Sequence, residues 1–517
     1  MAIGDFDSDS DVETQETQST IQSSNPDSES ESEEDDNDLR TWASTAPRST
    51  YNAFPFTAGF PGPIRPVLTP LECFRLFLTD AIVEKVVQET NRIMRAKVKR
   101  KRGKEIPIKL LTVDEFWVFI AVLLLLEIHG KTRLEDNWKT DIYLSTPIFG
   151  KLMGIKRWKE IAGSLHFANN ETDESRVDKF WKFRAVFDQF IQAFSSEYVL
   201  GQDISIDESL VLWKGHHGLK RYIPSKADKW GFKFYALAES KTGYIHSLLV
   251  DEGKLTRFDH QNLFPDLQKP GQYVMQLIYP LLNRGHILYV DNFYTDLILF
   301  QYLYKYQTSS LGTVRKGRRL LPTDVTKATM KKNNVGDIVW RYTDKFFCFC
   351  WMDKREVRIL SSFGQVGMNT VTNKPFIIHN YNLGMPGVDL ADQKRHGRIV
   401  AKRRLKRWYK KIFFHMIDIS LVNAHIICKN IPSFVDIPAE EFRHSVVRQI
   451  VEIYHPNALS NPVSACATFH KIVLTANPQR CGVCSKEKGQ KRSKYRCELC
   501  DRNYCMPDCW NSHIINI

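Results

Sequence analysis

At Asp203 the apolar residues change from a helical to a strand-like spacing. Short β-like runs cover 204–212, 231–238, 244–250 and 286–290, and a helical pattern at 272–282 precedes the last of them. A helix over 296–306, a strand over 310–314 and strand-like runs at 338–340, 346–351 and 357–360 follow. Three strands, a helix and a fourth strand predict a mixed α/β core.

Helical patterns flank this core on both sides. From residue 70 to residue 198 the apolar residues recur at three- and four-residue spacings, which predicts an all-α domain of several short helices. The longest apolar run, 116–126, is too short for the roughly 20 residues that a membrane span needs. A second helical pattern begins after Gly387. We expect no membrane segment.

Four aspartates are the candidate catalytic residues of this core. Asp207 lies in the first strand and Asp291 ends the fourth, while Asp389 and Asp392 stand three residues apart at the start of a later helix. A lone aspartate at a strand end is usually a cap or turn residue, but this order matches the ribonuclease H-like layout. Clustered carboxylates need a cation, and oxygen ligands favour Mg²⁺ or Mn²⁺. Two such ions about 3.5–4 Å apart support in-line phosphoryl transfer.

The end of the sequence is rich in cysteine. The candidate zinc ligands are Cys481, Cys484, Cys497, Cys500, Cys505, Cys509 and His513. Paired cysteines two residues apart are typical of Zn²⁺ sites, and alternating pairs favour two cross-braced sites. Three roles are open for a module of this kind: DNA binding, a RING-like function, or recognition of chromatin. Without a signal peptide, the pattern favours a cytosolic or nuclear protein whose cysteines bind metal instead of forming disulfides.

Charge is distributed unevenly along the chain. The first 38 residues hold fourteen Asp or Glu and no Lys or Arg, so removing their charge from the total of +13 leaves +27 on the remainder. Such an excess favours nucleic acid as a partner. The predicted DNA contacts are Arg315, Lys316, Arg403, Arg404, Lys406, Arg407 and Trp408. The alternative is a solvated helical face, with Trp408 in the core.

Six motifs, in order, resemble the piggyBac transposases. They are Ser205-Ile-Asp-Glu-Ser209, Arg221-Tyr-Ile-Pro-Ser-Lys226, Lys229-Trp-Gly-Phe-Lys233, Asp291-Asn-Phe-Tyr-Thr295, Gly312-Thr-Val-Arg315 and Gly387-Val-Asp-Leu-Ala-Asp-Gln393. With weaker similarities on either side, the resemblance extends over residues 68–517.

The resemblance implies a cut-and-paste DNA transposase that excises its element through hairpinned ends and inserts it at TTAA. Asp207, Asp291 and Asp389 are then the catalytic carboxylates and ligands of Mg²⁺ (or Mn²⁺), with Asp392 a fourth acidic residue at or beside the site. His470 is implied as the eighth Zn²⁺ ligand, because the family tends to place a histidine before the first cysteine pair. A nuclear homodimer acting on double-stranded DNA is expected, since two DNA ends must be paired.

Two positions depart from the family pattern. Met385-Pro386 precedes Gly387 where members usually carry two glycines, and Pro386 fixes φ close to a metal ligand. His216 stands where many members place an arginine, so one DNA contact of the family is in doubt here. Two alternative functions remain open. One is a host-recruited DNA-binding protein without transposition, and the other is a ubiquitin-ligase or histone-binding protein built on the zinc module.

The predicted fold class is an α/β ribonuclease H-like catalytic core with an inserted subdomain, an all-α DNA-binding and dimerisation domain, and a small cross-brace zinc domain. The predicted boundaries are an acidic disordered arm (1–66), a helical domain in two parts (67–200 and 426–455), a core in two parts (201–315 and 381–425), an insertion (316–380), a linker (456–469) and the zinc domain (470–517).

Overall fold

A computed structural model describes residues 42–44, 53–59, 68–97, 100–101, 104–105, 108–170, 178–224, 229–326, 335–395, 405–458, 472–484, 491–498, 500–507 and 509–510. The chain forms two compact units, Met1–Ile450 and Val451–Ile517. Each is described by itself below.

Helices make up the first part of the larger unit. They are α1 (Pro70–Arg75), α2 (Asp80–Ala96), α3 (Val113–His129), α4 (Pro147–Leu152), α5 (Ile155–Ser164) and α6 (Trp181–Ser196). Three of them begin at a threonine whose side chain accepts a hydrogen bond from the first turn: Thr69, Thr79 and Thr112. The apolar run 116–126 becomes the buried centre of α3.

A sheet of nine strands forms the centre of this unit. Its members are β3 (Asp203–Leu212), β4 (Lys220–Tyr222), β5 (Trp230–Glu239), β6 (Ile245–Val250), β7 (Ile287–Val290), β8 (Ser309–Thr313), β9 (Ile338–Tyr342), β10 (Phe347–Met352) and β11 (Glu356–Ser361). The order is β4-β5-β3-β7-β8-β11-β10-β9, with β6 also paired to β5. β3, β5 and β6 are antiparallel, whereas β3, β7 and β8 are parallel.

The segment 316–380, predicted as an insertion, contributes three strands, β9, β10 and β11, to the same sheet. β11 pairs with β8, and β10 and β9 continue outward from it. Phe347 and Phe349 of β10 share a hydrophobic core with Tyr289 of β7 and Leu311 of β8. The burial of these rings joins the added strands to the core.

Further helices and short strands precede residue 455. They are β1 (Arg100–Lys101), β2 (Lys104–Glu105), α7 (Lys269–Ile278), α8 (Leu297–Lys305), α9 (Thr323–Thr326), β12 (Met368–Asn369), β13 (Lys374–Pro375), α10 (Phe376–Gly384), α11 (Gly387–Arg395), α12 (Trp408–Cys428) and α13 (Ala439–Tyr454). Among the residues described, α12 alone is long and apolar enough to cross a membrane, but 94% of its most apolar window is buried inside the protein. It packs against α1, α6 and α11.

Two short segments of the predicted disordered arm contact the body. Ala43 pairs with Tyr342 of β9, and Gly59 pairs with Val199. Gly285 has φ +76°, and a Cβ there would lie 2.0 Å from the Ala53 carbonyl oxygen, so the missing side chain makes room for the arm. The acidic residues 1–38 lie outside the described residues.

The smaller unit contains a three-stranded antiparallel sheet. Its strands are β14 (Ile472–Arg480), β15 (Arg492–Cys497) and β16 (Arg502–Asn503). The buried residues that pack together are Cys497, Tyr504 and Trp510. So small an apolar core needs additional stabilisation, and bound metal is a common source.

Candidate functional site

Asp207 and Asp291 lie side by side at the centre of the sheet. β3 and β7 are parallel, and their last registered pair is Ile206 with Val290, so these two aspartates are the next residues on neighbouring strands. Neighbouring strands are about 4.8 Å apart. The backbone register therefore brings together two carboxylates that are 84 positions apart in the sequence.

Helix α11 carries the other two candidate aspartates across this part of the sheet. Gly387 lies against Ser205, and the Ser209 hydroxyl donates to Asp392 at 3.4 Å, so α11 runs along β3 in the same direction. Asp207 lies midway between those two serines. Asp389, one turn before Asp392, is therefore at the level of Asp207, and its side chain is exposed.

Glycines permit this close packing. A Cβ at Gly387 would lie 2.5 Å from Ser205 Oγ and 2.9 Å from the Glu239 carbonyl oxygen. A Cβ at Gly384 would lie 2.3 Å from the Tyr289 ring, and one at Gly243 would lie 2.9 Å from a backbone nitrogen of α11. The distance between α11 and the aspartates of the sheet thus depends on residues without side chains.

The electrostatic surroundings of the two strand aspartates overlap. Burial raises the pKa of Asp291 above its usual range, and the charge of Glu208 raises it further, although the Phe293 N–H donates to Asp291 Oδ1 at 2.9 Å and opposes the rise. Burial also raises the pKa of Tyr381 to about 12, and the charges of Asp291 and Asp207 both act on this phenol. A cation between the two carboxylates would relieve this cost.

Asp392 already has a cationic partner. Arg395, one turn later on α11, forms an ion pair with it and also lies 3.4 Å from the Ser209 hydroxyl. A second guanidinium nitrogen donates to Nδ1 of His415 at 2.7 Å. Burial lowers the pKa of His415 well below its usual value, so the ring stays neutral and accepts this bond. Sequence reasoning missed this network, although the 389, 392, 395 spacing was visible.

Sequence reasoning also did not identify Lys233 as a second cationic side chain near the site. Lys233 Nζ lies 2.7 Å from Glu208 Oε1 and 5.2 Å from the centroid of the Phe293 ring. Its side chain is largely buried. Lys233 thus offsets the Glu208 charge that raises the pKa of Asp291.

The predicted DNA contacts occupy different environments. Arg315 is exposed and donates from Nε to Asn292 Oδ1 at 2.8 Å, which holds it beside Asp291. Lys316 and Lys406 are exposed, and Arg407 is half-buried. Arg403 and Arg404 lie outside the described residues.

Trp408 lies in a basic run, residues 402–411, and some side chains of this run contact the protein itself. The ring of Trp408 packs against His217 and Phe232, with centroids 4.6 and 5.8 Å away. Lys410, two residues after Trp408, is buried and donates to the carbonyl oxygens of Ala162 and Gly163, both at 2.9 Å. The basic run therefore has a buried side, which caps the end of α5.

Four cysteines of the smaller unit converge. Across the residues that the structure describes, Cys481, Cys484, Cys505 and Cys509 are the one group of three or more metal-ligand side chains whose donor atoms all lie within 4.8 Å of one another. The sulfurs of Cys484 and Cys505 are 3.8 Å apart, which matches the edge of a tetrahedron with Zn–S bonds of about 2.3 Å. Asp207, Asp291 and Asp389 of the larger unit do not form such a group among the described residues.

One of these thiols is already prepared for metal binding. Burial alone would raise the pKa of Cys481, but N–H groups of Cys505, Val483 and Cys484 donate to its sulfur and lower the pKa to about 6. A thiolate at neutral pH is the form that binds metal. The residues fit a Zn²⁺ ion.

The second predicted zinc site is described only in part. Cys497 and Cys500 lie together, with the Cys500 N–H 3.5 Å from the Cys497 sulfur. They are not part of the four-cysteine group. The first and third cysteine pairs of the sequence therefore come together, although the second pair lies between them in the sequence. His470 and His513 lie outside the described residues.

Comparisons with known proteins agree with this architecture. A family model described as Transposase IS4 matches residues 69–425. The human protein PiggyBac transposable element-derived protein 3 is 26% identical over 462 residues, which cover 84% of this chain and 74% of the relative. The human PiggyBac transposable element-derived protein 2 is 25% identical over 388 residues, or 70% of this chain and 62% of the relative.

A solved structure shares the fold. It is a piggyBac transposase in a synaptic complex with hairpin DNA, with a TM-score of 0.72 and 22% identity, over 87% of this chain and 98% of that chain. A match over so much of both chains extends the likeness beyond the central sheet. On the family match and these relatives, the chain belongs to the Transposase IS4 family, among its piggyBac-type members.

Proposed function

We propose that this protein is a cut-and-paste DNA transposase that uses two divalent metal ions. The observation that carries the proposal is the parallel register of β3 and β7, which sets Asp207 beside Asp291 under the helix that bears Asp389. The strand order β6-β5-β3-β7-β8 supports a ribonuclease H-like core. Along the chain, β3 is the first of these five strands and β7 is the fourth, so Asp207 lies in the first strand and Asp291 follows the fourth. Mg²⁺ or Mn²⁺ bound there would polarise the reacting phosphate and lower the pKa of the attacking hydroxyl.

Within this proposal, Asp389 and Asp392 have different roles. Asp389 is exposed at the level of Asp207 and offers its oxygens to metal. Asp392 is engaged by Arg395 and Ser209, and a carboxylate so neutralised is a weaker metal ligand. We assign Asp389 as the third ligand and Asp392 as the residue that holds α11 in place.

Protein cations serve the same reaction by binding DNA. Arg315 projects beside Asp291, where its guanidinium contacts a phosphate of the strand to be cut. Lys316, Lys406 and Arg407 extend the contact along the backbone.

The finer features of the proposal come from the family. They are excision through hairpinned ends, insertion at TTAA, pairing of two DNA ends by a homodimer, and action in the nucleus. The smaller unit would hold Zn²⁺ on its four converging cysteines and bind the ends of the element. Its exposed Lys491, Arg492 and Lys494 support that role.

The alternative is a DNA-binding descendant that has lost transposition. The names of both human relatives mark them as derived from transposable elements, which keeps this possibility open. The structure gives it no support at Pro386, whose carbonyl oxygen accepts from Leu390 at 2.8 Å at the start of α11. Proline is tolerated in that position because no helical N–H is lost.

The deciding experiment measures strand cleavage of a DNA fragment that carries candidate element ends and flanking TTAA, with Mg²⁺ present. Wild type should cleave, and Asp291→Asn and Asp389→Asn should not. Asp392→Asn should cleave more slowly with an unchanged Mg²⁺ requirement. Binding without cleavage by every chain, wild type included, would support the DNA-binding descendant instead.

A further inference from the structure

We infer that Tyr222, Trp230 and Lys220 form a stacking surface for unpaired DNA bases, an inference that rests on the proposed function because it takes DNA as the substrate. The side chains of Tyr222 and Trp230 are 49% and 46% exposed. Their ring centroids are 4.7 Å apart, and Lys220 Nζ lies 4.9 Å from the centroid of the Trp230 ring. Two exposed rings and a cation are thus held in contact at the surface.

The strand pairing fixes this arrangement. Tyr222 pairs directly with Trp230, and Lys220 pairs with Phe232, in the short ladder between β4 and β5. Residues directly opposite each other on antiparallel strands project from the same face. The three side chains therefore share one face of the sheet at its β4 margin.

The same face carries Asp207. Ala236 is the partner of Asp207 on β5, and Trp230 lies six residues before Ala236 on that strand. At about 3.4 Å per residue, the separation along the strand is roughly 20 Å. A DNA strand with the stacked spacing of a duplex, about 3.4 Å per nucleotide, would span it in on the order of six nucleotides, and a more extended strand would need fewer.

The surrounding charge suits a polyanion. Residues 213–231 contain five Lys or Arg and one Asp. Arg221 contacts Asp251 at 3.3 Å, whereas Lys214 and Lys229 are exposed. The Phe232 ring next to Lys220 also contacts Trp408, which joins this surface to the exposed Lys406. The phosphates of a strand lying on the rings would have cations on both sides.

Bases, rather than phosphates alone, are the occupant that the rings favour. A cross-strand aromatic pair stabilises its own hairpin by about 0.2–1 kcal/mol, but this does not require that the outer faces stay exposed. Phosphate binding would need only the lysines. Aromatic rings beside cations stack on bases of any sequence. We therefore expect contact with bases that have left the duplex.

The test uses the full chain carrying Asp291→Asn, so that the DNA stays intact. Three fluorescein-labelled probes of equal length are compared by anisotropy: an oligo(dT) strand, an abasic strand with the same charge, and a duplex. The unsubstituted surface should bind oligo(dT) more tightly than the abasic strand. Trp230→Leu should reduce that preference about 5- to 150-fold, as expected for the loss of base stacking. Trp230→Phe should retain most of it.

The preference between probes separates base stacking from a structural role of Trp230. If the substitution only weakened the β4–β5 hairpin, binding of all three probes would change together. Tyr143→Ala, at an aromatic residue that is 93% exposed in the helical part, is the matched control and should leave the preference unchanged. An equal preference for oligo(dT) in the Asp291→Asn chain with and without Trp230→Leu, alongside normal cleavage by the wild-type chain, would overturn this inference alone. If the Asp291→Asn chain with Trp230 intact bound none of the probes, the proposed function would fail with it.

Discussion

Replacing Gly387 with alanine tests the contact on which the candidate active site depends. The new Cβ would lie 2.5 Å from Ser205 Oγ and 2.9 Å from the Glu239 carbonyl oxygen, whereas ordinary contacts begin at 3.4 Å. The hydroxyl can rotate away, but the backbone carbonyl cannot, so α11 must move by about 0.5 Å or more. Overpacking of this kind costs about 1–3 kcal/mol.

The larger effect of Gly387→Ala should be on the reaction. Asp389 lies two residues further along α11 and moves with the helix, and a misplacement of about 1 Å at a reacting centre costs on the order of 100-fold in rate. We expect Mg²⁺-dependent strand cleavage to fall 10- to 100-fold on this basis, while DNA binding is retained.

Cleavage rates should be compared at a temperature where circular dichroism finds both chains folded. Gly150→Ala is the control, because a Cβ at that position in α4 has no atom within 4 Å. Adding Ser205→Ala to Gly387→Ala removes the shorter of the two contacts but not the contact with the backbone carbonyl, so most of the loss in rate should remain. A Gly387→Ala protein that cleaves at the wild-type rate would refute the argument that close packing positions Asp389.

Three further predictions concern other parts of the chain. Arg395→Lys should slow cleavage about tenfold, because lysine lacks the fork that contacts Asp392 and its neighbours together; wild-type rates would contradict this role. Cys484→Ser should reduce bound Zn²⁺, measured with a chromogenic chelator, whereas the control Cys348→Ser, outside the cluster, should not. Burial lowers the pKa of His246 to about 4, so the unfolded chain takes up a proton near pH 6.5 that the folded chain refuses. The contribution of His246 to the free energy of unfolding should therefore fall by about 1.4 kcal/mol per pH unit as the pH drops from 6.5 towards 4. In urea unfolding, His246→Asn should weaken that dependence, and an unchanged slope would count against it.

The strands of the core were predictable because their signal is local. The runs predicted at 204–212 and 286–290 are observed as Asp203–Leu212 and Ile287–Val290. The motif order then supplied the parallel pairing of β3 and β7, which no strand pattern specifies by itself. The position of Asp207 beside Asp291 could thus be inferred before the structure was known.

Elements whose existence depends on a distant partner were not predictable in this way. β4 has three residues, too few for a periodic pattern, and it forms only because Trp230 and Phe232 offer a strand edge. β9, β10 and β11 of the segment 316–380 were identified, but their attachment to β8 requires the shared core of aromatic rings around Tyr289. Long-range pairing of this kind leaves no local trace in the sequence.

The different roles proposed for Asp389 and Asp392 were partly predictable from the sequence. Residues three apart on a helix are neighbours, so the spacing that brings Asp392 next to Asp389 also brings Arg395 next to Asp392. An acid, acid, base series at three-residue intervals neutralises the middle carboxylate and leaves the first one available for a cation. The sequence therefore contained a reason for proposing Asp389 as the metal ligand, and the contacts of Arg395 with Ser209 and His415 hold its guanidinium beside Asp392.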